Sequence, residues 1–582
     1  MSSDDWSGMY SDFGAFVKAL DNGVVPVGRD VLIPSQVVGD EAMAGSHDRY
    51  RVRIHNAGMA TLLRAEYSRS DIAVLLSKTA DIRRIQVVEQ PWGTFINAAS
   101  FDSQDEASAT NYDAVWVRDS IWGYYALAAE AGREQDAKAV LLTQLSYLAS
   151  QSERMDRVIA RPELLDMPEP VGSMNAVHIR FDAQSPDYAD VTEHGEAQPW
   201  THKQNDALGL VIAASVHALR DGSVTLDELS VPVAVPGSKA CSENDAPSAS
   251  TRDAAAHPAL NSRLAGLVRL VAYLHAVKFQ EMEDSGAWEE QPRRNTSSIG
   301  IVVSALEDLH DLLGGAVVEH RSPARQERSS LARAYGTVVS ALHLEGLADA
   351  ESISTLIAEG NEVLHRQLRM GGESPDYPVE DARYRQADAA LLSLIYPCRP
   401  KGLNLVEELH ILQIVGSLIG DFGIRRYLHD TYQSANFWWH DIKPDADPES
   451  HAKREAEFVR GTEAEWFFDS WYATCCLVVA KEMEADGMRT GLPAGASVSS
   501  PEMLRNTAVR HLNRALGQIT GDGMVSADGK PVGPDLLPES YNRIVARHDD
   551  GKVFTWAVPS PIAPLNWAKA SLTLCLQEFL QE

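Results

Sequence analysis

The strongest constraint on the fold is a helical repeat of apolar residues along most of the 582-residue chain. In one stretch the apolar residues form a single stripe of an amphipathic helix, because they recur at intervals of three and four positions. That stretch comprises Ile353, Leu356, Ile357, Gly360, Val363 and Leu364. Equivalent stripes occur at 264–274 and 299–309. Together with similar stretches, these stripes predict about eleven helices. The similar stretches lie near 120–150, 206–219, 329–344, 383–396, 404–419, 464–484, 502–518 and 565–581.

Predicted strands are few. They fall at Val24–Val27, Tyr50–Ile54 and Ile85–Val88, with one more at Val177–Phe181. We therefore expect an all-α protein in two parts: an N-terminal extension or small cap at 1–90, where strands can form, and a helical domain at 91–582. Residues 235–258 are small and polar, which predicts a mobile insertion within the helical domain.

About a dozen helices joined by long loops fit two architectures. An α-solenoid would show a sequence repeat of about 34–47 residues. No such repeat is evident, so we favour an α/α toroid, in which two concentric rings of antiparallel helices surround a centre. Long loops that carry aromatic and polar residues together, as several do here, are typical of functional segments.

Charge and cysteine content exclude several classes of function. With 52 basic and 82 acidic residues the net charge is −30, so the surface repels phosphates and anionic lipids, and neither nucleic acid nor a membrane is an expected partner. The five cysteines form neither a disulfide framework nor a CxxC zinc motif. No nucleotide-binding fingerprint stands out, so no cofactor or metal is expected. The acidic first residues differ from a signal peptide, and we expect a cytoplasmic location.

The first cluster of candidate site residues precedes the helix predicted near residue 121 and contains Tyr112, Trp116, Arg118 and Asp119. Aromatic faces, a forked cationic donor and a carboxylate acceptor together match the C–H faces and hydroxyls of a sugar ring. A structural explanation is also open, because Asp119 or Ser120 would serve as an N-cap and Arg118 would form a surface ion pair. Both interpretations stay open on these residues alone.

A second cluster, with Trp200, Lys203, Gln204 and Asp206, stands just before another apolar helix. In a purely structural interpretation Asn205 or Asp206 would cap that helix and Trp200 would pack against it. So many polar groups beside one tryptophan exceed what the capping of one helix requires. The cluster is therefore a second candidate for sugar binding.

Two further clusters contribute carboxyls. Trp288, Glu289 and Glu290 follow the stripe that ends near residue 279, and Glu539 lies in an irregular stretch before the last helix. Adjacent glutamates usually form a solvated helix face, but an indole beside a carboxyl excludes water and raises its pKa, as a general acid at neutral pH needs. Hydrolysis of a glycoside needs two carboxyls, one as acid and one as base. A closed ring of helices would bring Glu289 and Glu539 together, whereas a solenoid would not.

Taken in order along roughly residues 91–575, these clusters resemble glycoside hydrolase family 15, the glucoamylase family, which extends to the regulatory subunits of phosphorylase kinase. The matching motifs are Gly93-Thr-Phe-Ile-Asn-Ala-Ala, the Tyr112 to Ser120 stretch, Pro199-Trp200, Gln204-Asn-Asp206-Ala-Leu-Gly209, Trp288-Glu289-Glu290, Arg385-Gln-Ala-Asp388, Gly423-Ile-Arg-Arg-Tyr427 with Asp430 and Tyr432, Glu463-Ala-Glu465-Trp466, Leu537-Pro-Glu539 and Pro564-Leu565-Asn-Trp567. Each motif is short, and the specificity lies in their common order.

The resemblance implies an (α/α)6 barrel and an exo-acting, inverting hydrolase that releases glucose from the non-reducing end of an α-glucoside. It implies that Glu289 is the general acid and Glu539 the general base, about 6.5–9.5 Å apart so that one water fits between. The implied substrate-binding residues are Tyr112, Trp116, Arg118, Asp119, Trp200, Lys203, Gln204, Asp206, Trp288 and Glu290, with Arg118 and Asp119 gripping the terminal sugar and Glu290 accepting from a hydroxyl of the next.

The chain departs from the family pattern in three places. Only about ninety residues precede the barrel, too few for the large β-rich domain of many bacterial members. Pro538-Glu539-Ser540 stands where fungal members have Ala-Glu-Gln, and Lys203-Gln204-Asn205-Asp206 is closer to the kinase-subunit branch than to the fungal Arg-Pro-Gln pattern. These differences bear on the base and on the outer sugar-binding positions.

Three functional hypotheses remain. The first is an inverting hydrolase acting on a short α-1,6- or α-1,4-linked glucoside, a dextrin or trehalose. The second is a non-catalytic carbohydrate-binding or regulatory protein on the same barrel. The third, a lyase acting on acidic polysaccharide, needs a basic groove that a chain of net charge −30 supplies poorly. The oligomeric state, a homodimer included, is left open.

Overall fold

The computed structural model describes residues 9–34, 49–99, 114–193, 195–233, 258–314, 323–440, 448–485 and 500–582, and it is mainly helical. Its α-helices are α1 (Phe13–Asp21), α2 (Ala57–Ala60), α3 (Arg69–Lys78), α4 (Val117–Ala129), α5 (Glu134–Ser150), α6 (Ser152–Ala160), α7 (Val171–Asn175), α8 (Asn205–Asp221), α9 (Leu226–Leu229), α10 (Arg263–Ala276), α11 (Thr296–Gly314), α12 (Pro323–Ala341), α13 (Ala350–Met370), α14 (Leu405–Gly416), α15 (Pro448–Glu457), α16 (Asp469–Ala485), α17 (Pro501–Gly517) and α18 (Asn566–Gln581). Short 3-10 helices occupy Pro162–Asp166, Pro258–Asn261, Gly286–Trp288, Ala389–Leu394 and Phe437–Trp439.

The strands are short and form antiparallel pairs. They are β1 (Arg29–Pro34), β2 (Arg49–Ile54), β3 (Val88–Gln90), β4 (Gly93–Phe95), β5 (Val115–Trp116), β6 (Arg180–Phe181), β7 (Thr192–Glu193), β8 (Glu196–Ala197), β9 (Glu465–Trp466), β10 (Ser540–Arg547) and β11 (Val553–Pro559). Four two-stranded sheets pair β1 with β2, β3 with β4, β5 with β6 and β7 with β8. A three-stranded sheet has β10 between β11 and β9.

Six helical segments form a closed inner ring. Within it α4 contacts α8, α8 contacts α11, α11 contacts the 3-10 helix Ala389–Leu394, that helix contacts α16, α16 contacts α18, and α18 returns to contact α4. An outer ring covers these segments: α3 packs on α18, α5 on α4, α10 on α8, α13 on α11, α14 on the 3-10 helix and on α16, and α17 on α16. The predicted (α/α)6 toroid is therefore confirmed, and the solenoid alternative is wrong because α18 closes the ring on α4.

The two rings differ in how their helices are buried. Helix α4 buries every residue from Val117 to Tyr124, since it has neighbours on all sides. Helix α13 buries one face only, and that face includes Ile353, Leu356, Val363 and Leu364 of the predicted stripe. Helices that are buried all round belong to an interior, whereas one apolar stripe marks a helix that covers it.

Close approach between inner helices requires a small residue at one point. A Cβ atom on Gly209 of α8 would lie 2.9 Å from the Ile301 side chain and 3.1 Å from the backbone nitrogen of Val302, both on α11. Backbone atoms cannot give way as a flexible side chain can, so glycine at this position lets α8 and α11 come together. Helix α8 follows the loop that carries Trp200, and α11 follows the loop that carries Glu289 and Glu290.

The N-terminal part contributes to the barrel wall. Helix α3 fills the sixth outer position, and strand β2 contacts α17. The division into 1–90 and 91–582 stays a prediction. A predicted strand at Tyr50–Ile54 is confirmed within β2.

Three strand predictions need correction. Val24–Val27 is irregular and precedes β1, since α1 ends at Asp21 and the chain turns there. Only Val88 of Ile85–Val88 and only the last two residues of Val177–Phe181 are in strands, because their partner strands are short. The long hairpin β10–β11 lies outside the predicted regions altogether. Strand β10 begins with three buried residues in succession, so it lacks the alternation by which a strand is recognised.

The insertion predicted at 235–258 lies, apart from Pro258, outside the described residues. Of the helices given above, none is both long enough and apolar enough to cross a membrane.

Candidate active site

Loops from the inner ring enclose a small cavity of about 130 Å³. The lining residues that the sequence predicted are Trp116, Arg118, Asp119, Trp200, Trp288, Glu289, Glu290 and Glu539. The remainder of the wall comes from Ala98, Ala287, Arg426, Tyr432, Arg454, Trp466, Leu565 and Trp567. Side chains from both ends of the chain thus meet in one space because the ring closes.

Glu289 is held on two sides by hydrogen-bond donors. Glu289 directly follows the short 3-10 helix that ends at Trp288, and its own backbone is left-handed (φ 61°). Arg118 Nη1 donates to Glu289 Oε1 at 3.1 Å, and Trp200 Nε1 donates to Oε2 at 2.9 Å. Burial raises the pKa of Glu289 above its usual value, although Arg118 and Arg180 act in the opposite direction. A carboxyl in this setting is disposed to carry a proton.

The neighbouring Glu290 has the opposite electrostatic environment. Burial alone would raise its pKa, but the guanidinium groups of Arg385, Arg426 and Arg293 hold the pKa well below the usual range. Arg385 donates to Oε2 at 3.0 Å, Arg426 donates to Oε1 at 3.1 Å, and the Tyr427 hydroxyl donates to the same Oε1. The pKa values of these two adjacent glutamates are thus shifted in opposite directions, which is how active sites give acid and base roles to chemically identical groups. Glu290 stays ionised.

Arg118 is the hub of the polar network behind the cavity. Its Nε donates to Asp206 Oδ2 at 2.7 Å, and its Nη2 donates to Gln204 Oε1 at 2.5 Å and to the Gly286 carbonyl at 3.1 Å. Gln204 and Asp206 are buried and do not line the cavity. Their predicted contact with substrate stays a prediction, and the geometry gives them the orientation of Arg118.

Asp119 lies beside Arg118 in the first turn of α4 and faces the cavity. Burial raises the pKa of Asp119 to about 7; Arg118 lowers it and Glu289 raises it further. The capping role considered for Asp119 and Ser120 is wrong, since Trp116 is the N-cap and makes no side-chain capping bond.

The same correction applies to the second cluster. Helix α8 starts at Asn205, with Gln204 as an N-cap that has no side-chain capping bond. Asn205 and Asp206 therefore lie inside the helix rather than at its cap.

Lys203 lies apart from the carboxyls. It lines a second, larger cleft of about 1330 Å³, where its Nζ donates to Glu169 Oε1 at 2.6 Å. Trp200, Glu290 and Arg454 line both spaces, so the cleft opens next to the small cavity. Tyr112, the remaining predicted aromatic residue, lies outside the described residues.

Glu539 faces the small cavity from the strand side. Its backbone N–H donates to the Ile562 carbonyl at 2.9 Å, and its Oε2 accepts a hydrogen bond from Gln433 Nε2. The side chain is almost fully buried. Gln433 is a site residue that sequence reasoning missed: no motif marks it, although it directly follows the quoted Tyr432.

Aromatic rings form much of the wall, and one further cation contacts two of them. Trp288 donates to Asp388 Oδ1 at 2.7 Å and stacks on Trp567 with ring centroids 6.3 Å apart. The Arg180 guanidinium lies 3.8 Å from the Trp200 ring centroid and 5.1 Å from that of Trp116, positions typical of cation–π contacts. Arg180 was also missed, because a single arginine at the end of a predicted strand carries no signal of its own.

No cluster of three or more His, Cys, Asp or Glu side chains suited to a metal ion occurs in the ranges that the structure describes.

Comparisons with known proteins show likenesses in structure and in sequence. The chain matches no family model. Its structure has a limited similarity to a glucoamylase from Saccharomycopsis fibuligera, with 14% sequence identity and a TM-score of 0.47 over 88% of this chain and 97% of that one. A glycosidase in complex with glucose has 16% sequence identity and a TM-score of 0.46 over 88% of this chain and 100% of that one.

Sequence identity is much higher to the uncharacterized lipoprotein YgeQ of Escherichia coli. It reaches 39% over 241 residues, which is 41% of this chain and 80% of YgeQ. The chain belongs to the same family as the uncharacterized lipoprotein YgeQ.

Proposed function

We propose that the chain is an exo-acting glycoside hydrolase that releases glucose from the non-reducing end of an α-glucoside with inversion at the anomeric carbon. The observation that carries the proposal is that Glu289 and Glu539, which are far apart in sequence, line one small cavity while the environment of Glu289 favours its protonated form. The ordered resemblance of the surrounding motifs to glycoside hydrolase family 15 supports the same conclusion.

In the proposed reaction Glu289 donates its proton to the glycosidic oxygen as the bond from that oxygen to the anomeric carbon breaks. Glu539, as the ionised base, takes a proton from a water that attacks the anomeric carbon from the opposite face. The sugar leaves with inverted configuration, Glu289 is left ionised and Glu539 protonated. Proton exchange with water restores both groups. An oxocarbenium-like transition state would be stabilised by the ionised carboxylates around the ring.

Exo action is supported by the two unequal spaces. The small cavity of about 130 Å³ is of a size for one sugar ring, whereas the adjoining cleft of about 1330 Å³ has room for the remainder of the substrate. The shared residues Trp200 and Glu290 lie where the scissile bond would pass from one space to the other. Lys203 would then contact the departing part of the substrate rather than the terminal glucose.

Glucose release from maltose, isomaltose, trehalose, nigerose and dextran tests the proposal. Glu289→Gln and Glu539→Gln should each lose most turnover, roughly 10²–10⁴-fold, while the substrate still binds. Glu307→Gln is the control, since Glu307 is buried on inner helix α11 but does not line the cavity.

If Glu539→Gln kept the turnover of the parent protein, its assignment as the base would be wrong. If sugars bound but none of the five substrates released glucose, the non-catalytic alternative would hold. The cytoplasmic location stays a prediction, to be checked by fractionation of the source cell.

A further inference from the structure

Behind Glu539 a chain of hydrogen bonds runs away from the cavity through three buried or half-buried side chains. Trp438 Nε1 donates to Asn542 Oδ1 at 2.8 Å, and Asn542 Nδ2 donates to Gln433 Oε1 at 3.1 Å. Gln433 Nε2 then donates to Glu539 Oε2. Ser540 Oγ supports the middle of the chain, because it also donates to Gln433 Oε1, at 2.8 Å.

The Trp438 indole fixes which atoms donate and which accept along these hydrogen bonds. An indole N–H can only donate, so the atom of Asn542 that faces Trp438 has to be the amide oxygen. The Asn542 amide nitrogen therefore faces Gln433, which must present its own oxygen to it. Gln433 is left with its nitrogen toward Glu539. Neither amide can be turned over without placing two donors or two acceptors against each other.

We propose that Trp438, Asn542 and Gln433 form a relay of fixed polarity that keeps a hydrogen-bond donor on Glu539 and so holds it ionised and oriented as the base. The inference rests on the proposed function. Gln433 and Asn542 are fully buried, so no water competes for their amide groups. Gln433 also has a left-handed backbone (φ 57°), a conformation that costs a non-glycine residue free energy and that clusters at functional sites. These are positioning residues, since none of the three lines the cavity.

Other charged and titratable groups line the same cavity as Glu539. Its charged and titratable neighbours there are Arg118, Asp119, Glu289, Glu290, Arg426, Tyr432 and Arg454. On the strand side, Glu465 of β9 pairs with Arg543 of β10. Substitutions in the relay leave all of these groups in place, and the matched control below separates the effect of the relay from theirs.

The test is the pH dependence of kcat/KM for Gln433→Met and Trp438→Phe. Methionine keeps the length of the glutamine side chain but cannot donate, so the carboxylate of Glu539 becomes protonated at higher pH. The acid limb should move up by about one to two pH units, the range expected for a hydrogen bond to a charged group. Trp438→Phe frees both amides to turn over, and the limb should move in the same direction by less.

Trp439→Phe is the matched control. Trp439 is next in sequence, and its indole N–H donates to the Ala527 carbonyl at 2.7 Å, outside the relay. Its loss should leave the acid limb where it is. If the limb stays in place in Gln433→Met, or if Trp439→Phe moves it as far as Trp438→Phe does, the relay is refuted.

A second measurement is independent of activity. In protein with ¹³C-labelled glutamate carboxyls, the Glu539 resonance is the one absent from Glu539→Gln. Its titration midpoint should be higher in Gln433→Met than in the parent protein. An unchanged midpoint overturns the relay, whereas a raised midpoint in a protein that releases no glucose supports the relay and contradicts the proposed function.

Discussion

Replacing Trp200 by phenylalanine removes one hydrogen-bond donor from Glu289 and keeps an aromatic ring in the cavity wall. The indole N–H lies 2.9 Å from Glu289 Oε2 and stabilises the ionised carboxylate. A hydrogen bond to a charged group contributes about 1.5–3 kcal/mol, and the lower end applies here because Glu289 retains 16% side-chain exposure. At about 1.4 kcal/mol per pKa unit, the pKa of Glu289 should rise by about one unit.

The assay is kcat/KM against pH on the best α-glucoside. A general acid works while it is protonated, so a raised pKa extends activity to higher pH, and the alkaline limb of Trp200→Phe should move up by about one unit. Trp116→Phe is the control: its ring lies 5.5 Å from that of Trp200, but its indole N–H has no hydrogen-bond partner among the residues that the structure describes. An alkaline limb that moves down in Trp200→Phe, or equally in both variants, would refute the assignment of Glu289 as the acid.

Two further predictions concern stability. Gly209→Ala should lower the free energy of unfolding by about 1–3 kcal/mol in urea denaturation, because its Cβ meets the α11 backbone. Gly336 is exposed on α12, where an added Cβ would meet no described atom within 4 Å outside its own helix, so Gly336→Ala should raise the free energy of unfolding by about 0.5–1 kcal/mol. Equal effects of the two substitutions would contradict the close approach of α8 and α11. Burial lowers the pKa of His55 to about 4. Between about pH 6.5 and pH 4 the unfolded chain therefore binds a proton that the folded protein does not. As the pH is lowered through this range, the free energy of unfolding should fall by about 1.4 kcal/mol per pH unit. His55→Phe, which keeps a ring against Tyr541, should lose that part of the slope, and an unaltered slope would exclude His55 as its source.

The architecture was predictable because its signal is local. Helical periodicity needs only neighbours within a few turns, and stripes such as that of α13 appear directly in the burial of the fold. The meeting of Glu289 and Glu539 followed from the closure of the ring and from ordered motifs. By contrast, the β10–β11 hairpin is buried on both faces at its start, so it carries no alternation to detect.

The roles of individual polar side chains were less predictable, because they depend on contacts between distant segments. Gln433 reaches Glu539 across 106 positions, and nothing near it in sequence marks that contact. Lys203 and Gln204 are adjacent and both precede α8, which begins at Asn205, yet one lines the outer cleft and the other is buried behind Arg118. Local patterns identified the segments of the site but not the direction in which each side chain points.

The central claim is that two carboxyls act on opposite faces of one terminal sugar. The most direct test is ¹H NMR of the first anomer released from an α-glucoside, recorded before mutarotation. We predict β-glucose from the parent protein and only trace release from Glu289→Gln and Glu539→Gln. α-Glucose as the first product would contradict the account.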